Sequence, residues 1–327
     1  MRVYRQPELF GRNVKALKKE IIYSLSGLYR DDFRVTGYRF GKGEKSCCII
    51  GALRGDEIQQ LYMCGKLVKI LSRLEKQGDI AHDKEILVIP CVNNYGINTG
   101  RRFWCLDNTD INRMFPGDEN GETTERVAAG IFREIKSYQY CVQFASFYIS
   151  GGFVPHVRMM ETGKENTSLA NLFGLPFVVL RNPSPLDKST LNYNLRLSGT
   201  SAFSVYTESK EQIDEGSANV GVSAVLRFLS RMGMVKYKSL GGSMGITVNE
   251  DDLMNVRSPS AGIYRSVCEI GSEVANGDLL AEIYHPYDGE IIGEITAPVD
   301  GIVFFAHQKP LIAERELAFK IVKRMHN

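Results

Sequence analysis

Short unbroken apolar runs alternate with segments whose apolar residues recur at helical spacing, from the N-terminal region to about residue 235. Ser46-Cys47-Cys48-Ile49-Ile50-Gly51-Ala52 and Glu85-Ile86-Leu87-Val88-Ile89-Pro90 read as buried strands. Between them, Leu61, Leu67, Val68, Leu71 and Leu74 fall on one face of a helix over 56–76. A second helix is predicted over 121–138, with Thr123 as N-cap and Glu125 in its first turn. Further strands are expected at 140–147, 176–180 and 202–207, and a last amphipathic helix at 217–233. Such alternation predicts an α/β domain with a largely parallel or mixed sheet flanked by helices. Residues 93–118 keep no period and are rich in polar groups, and so long a connection in a compact domain is usually functional.

The texture changes after about Asn255. Gly262, Gly271, Gly277, Pro286, Gly289, Gly293, Pro298 and Gly301 punctuate short strand-like runs, which predicts a small all-β domain. The expected division is 1–255 and 256–327. Gly271 to Leu280 and Ala297-Pro298-Val299-Asp300-Gly301 resemble the barrel-sandwich repeats of biotinyl and lipoyl domains. The stretch comparable to their carrier hairpin, 284–295, contains no Lys, so this domain is read as structural and not as a cofactor carrier.

Composition narrows the function classes. A net charge of +2 over 327 residues gives no nucleic-acid signal, and no run is long enough for a membrane span. The seven cysteines form no CxxC and several sit in apolar runs, which reads as reduced thiols in the cytoplasm. The N-terminus lacks the long apolar stretch of a secretory signal.

The candidate chemistry lies in three places. Asp110-Ile111-Asn112-Arg113-Met114-Phe115-Pro116-Gly117 ends on Pro and Gly and reads as a shaped loop. An Asn-Arg pair on such a loop suits a carboxylate ligand, because the guanidinium fork matches two carboxylate oxygens; a structural ion pair is the competing reading. Thr99-Gly100-Arg101-Arg102-Phe103 precedes it, and Gly51-Ala52-Leu53-Arg54-Gly55-Asp56-Glu57 joins the first buried strand to its helix.

Together with the small β domain, these motifs resemble the succinylglutamate desuccinylase/aspartoacylase family, zinc hydrolases of linear amide bonds on a carboxypeptidase-like fold. The resemblance implies zinc ligands from a Gly-x-His-Gly-Asp/Asn-Glu turn and a third-strand Asp-Leu-His, with a later Glu as general base. Glu57 matches the family's Glu ligand, but the two His positions fall on Arg54 and Ala145. The general-base position falls on Tyr206, with Glu208 as the neighbouring alternative. A guanidinium offers no lone pair to a metal and an alanine offers nothing, so the usual zinc site is expected not to assemble. A shifted site would have to use Glu57 with His156, which follows the third strand.

By the same resemblance Arg102, Asn112 and Arg113 face substrate, with Asp110 orienting Arg113, and Arg54, Arg102, Arg113 and Arg158 gather into a cationic cleft against Glu57. Two readings follow. One is a binding protein on a hydrolase scaffold that takes a small anionic or N-acyl-amino-acid-like ligand without a cofactor. The other is an active amide hydrolase with a shifted zinc site. No nucleic-acid or membrane partner is expected, and the oligomeric state stays open. Gly241-Gly242-Ser243-Met244-Gly245 matches a nucleophile-elbow pattern without the flanking strand and helix, and Cys105 has no His beside it in sequence, so both read as bystanders.

Overall fold

The computed structural model describes residues 19–27, 31–148, 150–163, 165–207, 212–238 and 241–324. The main sheet has nine strands: β1 (Lys19–Leu25), β2 (Phe33–Gly41), β3 (Glu44–Ala52), β4 (Lys84–Cys91), β5 (Tyr140–Ala145), β7 (His156–Met160), β8 (Phe177–Arg181), β9 (Ser201–Tyr206) and β10 (Ile246–Asn249). Their spatial order is β1-β2-β4-β3-β5-β9-β7-β8-β10. Strands β4, β3, β5 and β9 run parallel, as expected of fully buried apolar runs. The sheet is nonetheless mixed, because β2 meets β4 and β7 meets β9 antiparallel. Strands β1, β2, β7 and β10 were not anticipated. Burial alternates or is partial in β1, β2 and β10, while β7 is buried but short and carries His156 and Arg158, so no continuous apolar run marks any of them.

Helices α1 (Ile58–Gln77), α2 (Asn94–Thr99), α3 (Thr123–Ile135), α4 (Thr167–Asn171), α5 (Leu191–Leu197) and α6 (Glu215–Arg231) flank the sheet. Met63, Cys64, Leu67, Val68, Leu71 and Leu74 of α1 are buried on its inner stripe, in one core with Ala218, Val222, Val225 and Leu229 of α6. Each leucine so buried contributes roughly 1.5–3 kcal/mol. The helix stops at Gly78, whose left-handed φ of 76° turns its N–H back onto the Glu75 carbonyl. The opposite face of the sheet carries a second core with Val127, Ile131 and Ile135 of α3 and Leu191 and Leu195 of α5. Helix α3 is capped by Glu122, not Thr123: the Glu125 side chain accepts from the Glu122 N–H at 3.0 Å, and the Glu122 side chain accepts in return from the third-position N–H.

Strands β11 (Met254–Arg257), β12 (Gly262–Ser266), β13 (Glu273–Val274), β14 (Leu279–Tyr284), β15 (Ile291–Thr296), β16 (Gly301–His307), β17 (Leu311–Ile312) and β18 (Leu317–Lys323) build two further sheets. Their own core includes Leu280, Ile283, Ile295, Val303 and Phe319. β6 (Gly151–Phe153), from the N-terminal part of the chain, pairs antiparallel with β16. A fourth cluster, with Phe147, Phe153, Tyr206, Phe304 and Phe305, packs the two parts together. Among the described residues no helix is long and apolar enough to cross a membrane.

This topology places the site. The strand order reverses at β3, with β4 on one side and β5 on the other, and open α/β sheets form their crevice outside the strand ends at such a point.

Candidate functional site

At that reversal the chain turns from β3 into α1 through residues 53–57. Glu57, fully buried, holds the turn: one carboxylate oxygen accepts from the Leu53 and Arg54 N–H groups at 2.9 and 3.0 Å. Its other oxygen accepts from Arg54 Nη1 at 3.2 Å and from the Ser146 hydroxyl at 2.5 Å. Arg54 is 4% exposed and directs its Nε to both oxygens of Asp110 at 3.0 Å. Burial alone would lower its basicity, but Glu57 and Asp110 raise it, so the guanidinium stays charged. Gly55 lets this turn lie against the long loop. Its N–H donates to the Arg102 carbonyl at 3.2 Å, and a Cβ there would meet the Arg101 oxygen at 2.1 Å.

The long loop is fixed from the other side by α3. Asp107 accepts from the Thr123 hydroxyl at 3.1 Å and the Thr124 N–H at 3.2 Å, at the positive end of that helix. Gly117, at φ 87°, presses its backbone on Ala129, where a Cβ would lie 2.2 Å from the nitrogen. Between these anchors Ile111–Arg113 forms one turn of 3-10 helix capped by Asp110, which accepts the Asn112 N–H at 3.0 Å.

Asp110 therefore does not orient Arg113, contrary to the sequence expectation; it serves Arg54 and, at 3.7 Å, Arg102. Arg102 also reaches Asp56 at 3.4 Å. Arg113 is held instead by the Leu186 carbonyl at 2.6 Å and by Asp187 at 3.6 Å. Asn112 spends its side-chain oxygen on the Leu191 N–H at 3.1 Å, which ties the loop to α5.

Arg54, Arg102, Asn112, Arg113 and Asp187 border a narrow cleft of about 60 Å³. Among the described residues five arginines line it, Arg54, Arg102, Arg113, Arg158 and Arg181, against one carboxylate, Asp187. Its floor is a row across three strands, Gln143, Ser204 and Arg158, in direct register on β5, β9 and β7. Ala145 and Tyr206 line it beside that row. Tyr206 is buried, and burial raises its phenol above the ordinary value although Arg158 opposes the shift. The phenol oxygen accepts from Arg158, whose guanidinium lies 4.4 Å from the ring centroid.

Sequence reading missed Arg181, Asp187, Glu250 and Lys320. Arg181 contacts Asp187 at 2.8 Å and Glu250 at 2.9 Å; Glu250 also meets Arg158 at 3.6 Å and Lys320 at 2.9 Å. Burial would raise the Glu250 carboxyl, but Arg158, Lys320 and Arg181 hold it well below the ordinary carboxylate range. Arg181 closes an apolar run immediately before a Pro-rich loop, and that was the available signal.

The side chains expected at the metal positions do not suit zinc: Arg54 carries a cation, Ala145 supplies no donor, and Glu57 is already engaged with four donors. His156 is not brought to Glu57. Its ring stacks on Tyr206 at 4.9 Å and packs on Phe304, its Nδ1–H is placed to donate to the Val154 carbonyl at 2.9 Å, and burial pushes its pKa down to about 3. Among the described residues no group of three His, Cys, Asp or Glu is disposed to hold a metal ion. Glu208 lies outside the described residues. A larger groove of about 1080 Å³ runs between β10 and β13 and shares no lining residue with the arginine cleft.

The fold has counterparts among solved structures. A succinylglutamate desuccinylase/aspartoacylase from Rhodobacter sphaeroides superposes with a TM-score of 0.78 at 19% identity, covering 98% of this chain and 99% of that one. The ectoine utilization protein EutE (DoeB) from Ruegeria pomeroyi, in a product-bound structure, gives 0.77 at 20% identity and 94% of each chain. At such identities the likeness is one of fold. The N-alpha-acetyl-L-2,4-diaminobutyric acid deacetylase of Halomonas elongata is 31% identical over 94 residues, 29% of this chain and 25% of that protein. The chain thus aligns with about a quarter of that relative's length. Residues 44–231, more than half of the sequence, match the succinylglutamate desuccinylase/aspartoacylase catalytic domain, and the chain belongs to that family.

Proposed function

We propose that this chain binds a small carboxylate-bearing ligand in the arginine cleft, without the zinc-dependent hydrolysis associated with its family. The observation that carries this reading is the Arg54 guanidinium, 3.2 Å from Glu57 and 3.0 Å from Asp110. It sets a fixed positive charge beside the carboxylate that a metal ion would need. Removing Arg54 would leave Glu57 as a buried carboxylate without its cation, so the pair is kept as a unit.

Arg102, Asn112 and Arg113 line the same cleft, which supports a role in gripping the ligand carboxylate. The volume supports a small ligand head. About 60 Å³ admits a carboxylate, whereas sites that enclose whole drug-sized molecules begin near 300 Å³. The relative named as a deacetylase of an N-acetylated amino acid supports an N-acyl amino acid, or an acid derived from one, as the ligand class. Tyr206, protonated at neutral pH by its raised pKa, is proposed to donate a hydrogen bond and not to act as a base.

The test is zinc content together with turnover. Protein purified without chelators should carry far less than one zinc per chain, and N-acyl amino acids should remain uncleaved with or without added zinc. Stoichiometric zinc, or zinc-dependent cleavage that survives loss of Arg54 but not of Glu57, would establish the active hydrolase with a shifted metal site instead.

A further inference from the structure

None of the described residues that line the arginine cleft comes from beyond residue 255, yet a residue of β18 reaches its wall. Lys320 is 8% exposed, lies 2.9 Å from Glu250, and stands 5.6 Å from the centroid of the Phe147 ring, which itself lines the cleft. Glu250 is shared by three cations, and two of them, Arg158 and Arg181, belong to the lining. The division of labour on this carboxylate is explicit. Lys320 takes Oε1, while both arginines approach Oε2, Arg181 at 2.9 Å and Arg158 at the longer 3.6 Å.

A carboxylate that is half satisfied by Lys320 competes less for the arginines. Without the lysine, Glu250 would turn both oxygens onto Arg158 and Arg181 and withdraw their donors from the cleft, and one positive charge near the cleft would be lost as well. Both effects weaken the attraction of an anion. We propose that Lys320 is a positioning residue: through Glu250 it keeps Arg158 and Arg181 available, so that the C-terminal β sheet sets the anion affinity of a cleft it does not line. This rests on the anion-binding reading of the cleft.

The inference gives opposite signs for two substitutions in one ion pair. Lys320→Met should weaken binding of succinate, used as the probe, by about tenfold, the order expected for one partly screened charge. Glu250→Gln should tighten it by a similar factor, because the negative charge facing one nitrogen of each arginine is removed while Asp187 and Tyr206 keep their own contacts. Lys320→Arg should restore most of the affinity lost in Lys320→Met. A merely structural pair would weaken binding in both directions. Calorimetric titration of the full chain and the three variants, with folding checked by thermal melts, decides the matter. Equal affinity in wild type and Lys320→Met, or weaker binding in Glu250→Gln, overturns the role of Lys320 while leaving the anion cleft standing. Absence of saturable succinate binding by the wild type overturns the anion cleft itself and this proposal with it. Should Lys320→Met not fold, Lys320→Gln takes its place: weaker succinate binding supports the proposal, and unchanged affinity overturns it.

Discussion

Arg54 and Glu57, three residues apart and both buried, form an ion pair at 3.2 Å in which the carboxylate also fastens the turn that carries the arginine. The pair is therefore architectural as well as chemical, and its two halves differ in what they hold. Glu57 receives two backbone N–H groups, a guanidinium and the Ser146 hydroxyl, so Glu57→Ala strands all four donors in the interior. A loss of about 3–5 kcal/mol is expected, read from urea unfolding. Glu57→Gln should cost less, since the amide oxygen keeps part of the set. A loss below about 1 kcal/mol for Glu57→Ala would show that the turn does not depend on this carboxylate.

Arg113 is anchored without being sealed off. Its side chain is 31% exposed, and Asp187 keeps Arg181 when Arg113 is removed. Arg113→Gln should lower succinate affinity by about tenfold or more, as expected for loss of a charge-assisted hydrogen bond, and leave thermal stability nearly unchanged. Calorimetric titration and a melt on the same sample check both. An unchanged affinity would place the ligand carboxylate elsewhere in the cleft.

His156 predicts the acid limb of the stability curve. Burial holds its pKa down to about 3, against an ordinary value near 6.5, so the native state refuses a proton that the unfolded chain accepts. Its contribution is full above about pH 6.5 and falls by about 1.4 kcal/mol per pH unit as pH drops toward about 3. Glu250 acts in a lower window. Its pKa is depressed, so its contribution is full above the ordinary Glu value of about 4.3 and declines as pH falls below it. His156→Phe, which suits the surrounding rings, should flatten stability between pH 6.5 and about 4.5 and leave the steeper loss below that range. Denaturant unfolding at stepped pH measures this. An unchanged slope between pH 6.5 and 5 in His156→Phe would mean that the imidazole is already hydrated and titrates normally.

The legible parts of this molecule were those whose signal is local. Ile49-Ile50 and Leu87-Val88-Ile89 announce buried parallel strands because both faces are covered, and the spacing of Leu67, Leu71 and Leu74 announces a helix stripe. The long loop stood out because it lacked either pattern, and Arg54, Arg102, Asn112 and Arg113 do line one cleft. Ion-pair partners were not legible. Asp110 lies three residues before Arg113, yet the 3-10 turn aims it at Arg54, 56 residues away. Arg158 and Arg181 share Glu250 only because β7 and β8 pair in a register set by the whole sheet. No window of sequence contains that register. Lys320 is further still, since β18 reaches the cleft wall only after the two parts pack through Phe304 and Phe305.

The reading of Arg54 and Ala145 as replaced metal ligands leads to a gain-of-function prediction. If those two positions flank the place where an ion would sit beside Glu57, Arg54→His with Ala145→His completes a His₂Glu donor set, the composition that suits an open catalytic zinc site. The double variant also deletes the cation that competes for Glu57, and it frees Asp110 to turn toward Arg102, which already lies 3.7 Å away. Either single change should fail: Arg54→His alone leaves two donors, and Ala145→His alone keeps the guanidinium in the way. Binding of one zinc per chain by the double variant, measured by elemental analysis after gel filtration and by competition with a chromogenic chelator, is the expected result. Cobalt substitution would then report the coordination directly through its visible absorption. Zinc binding by wild-type protein as tight as by the double variant would show that Arg54 does not block the site. No binding by a folded double variant would show that residues 54 and 145 do not face a common ion.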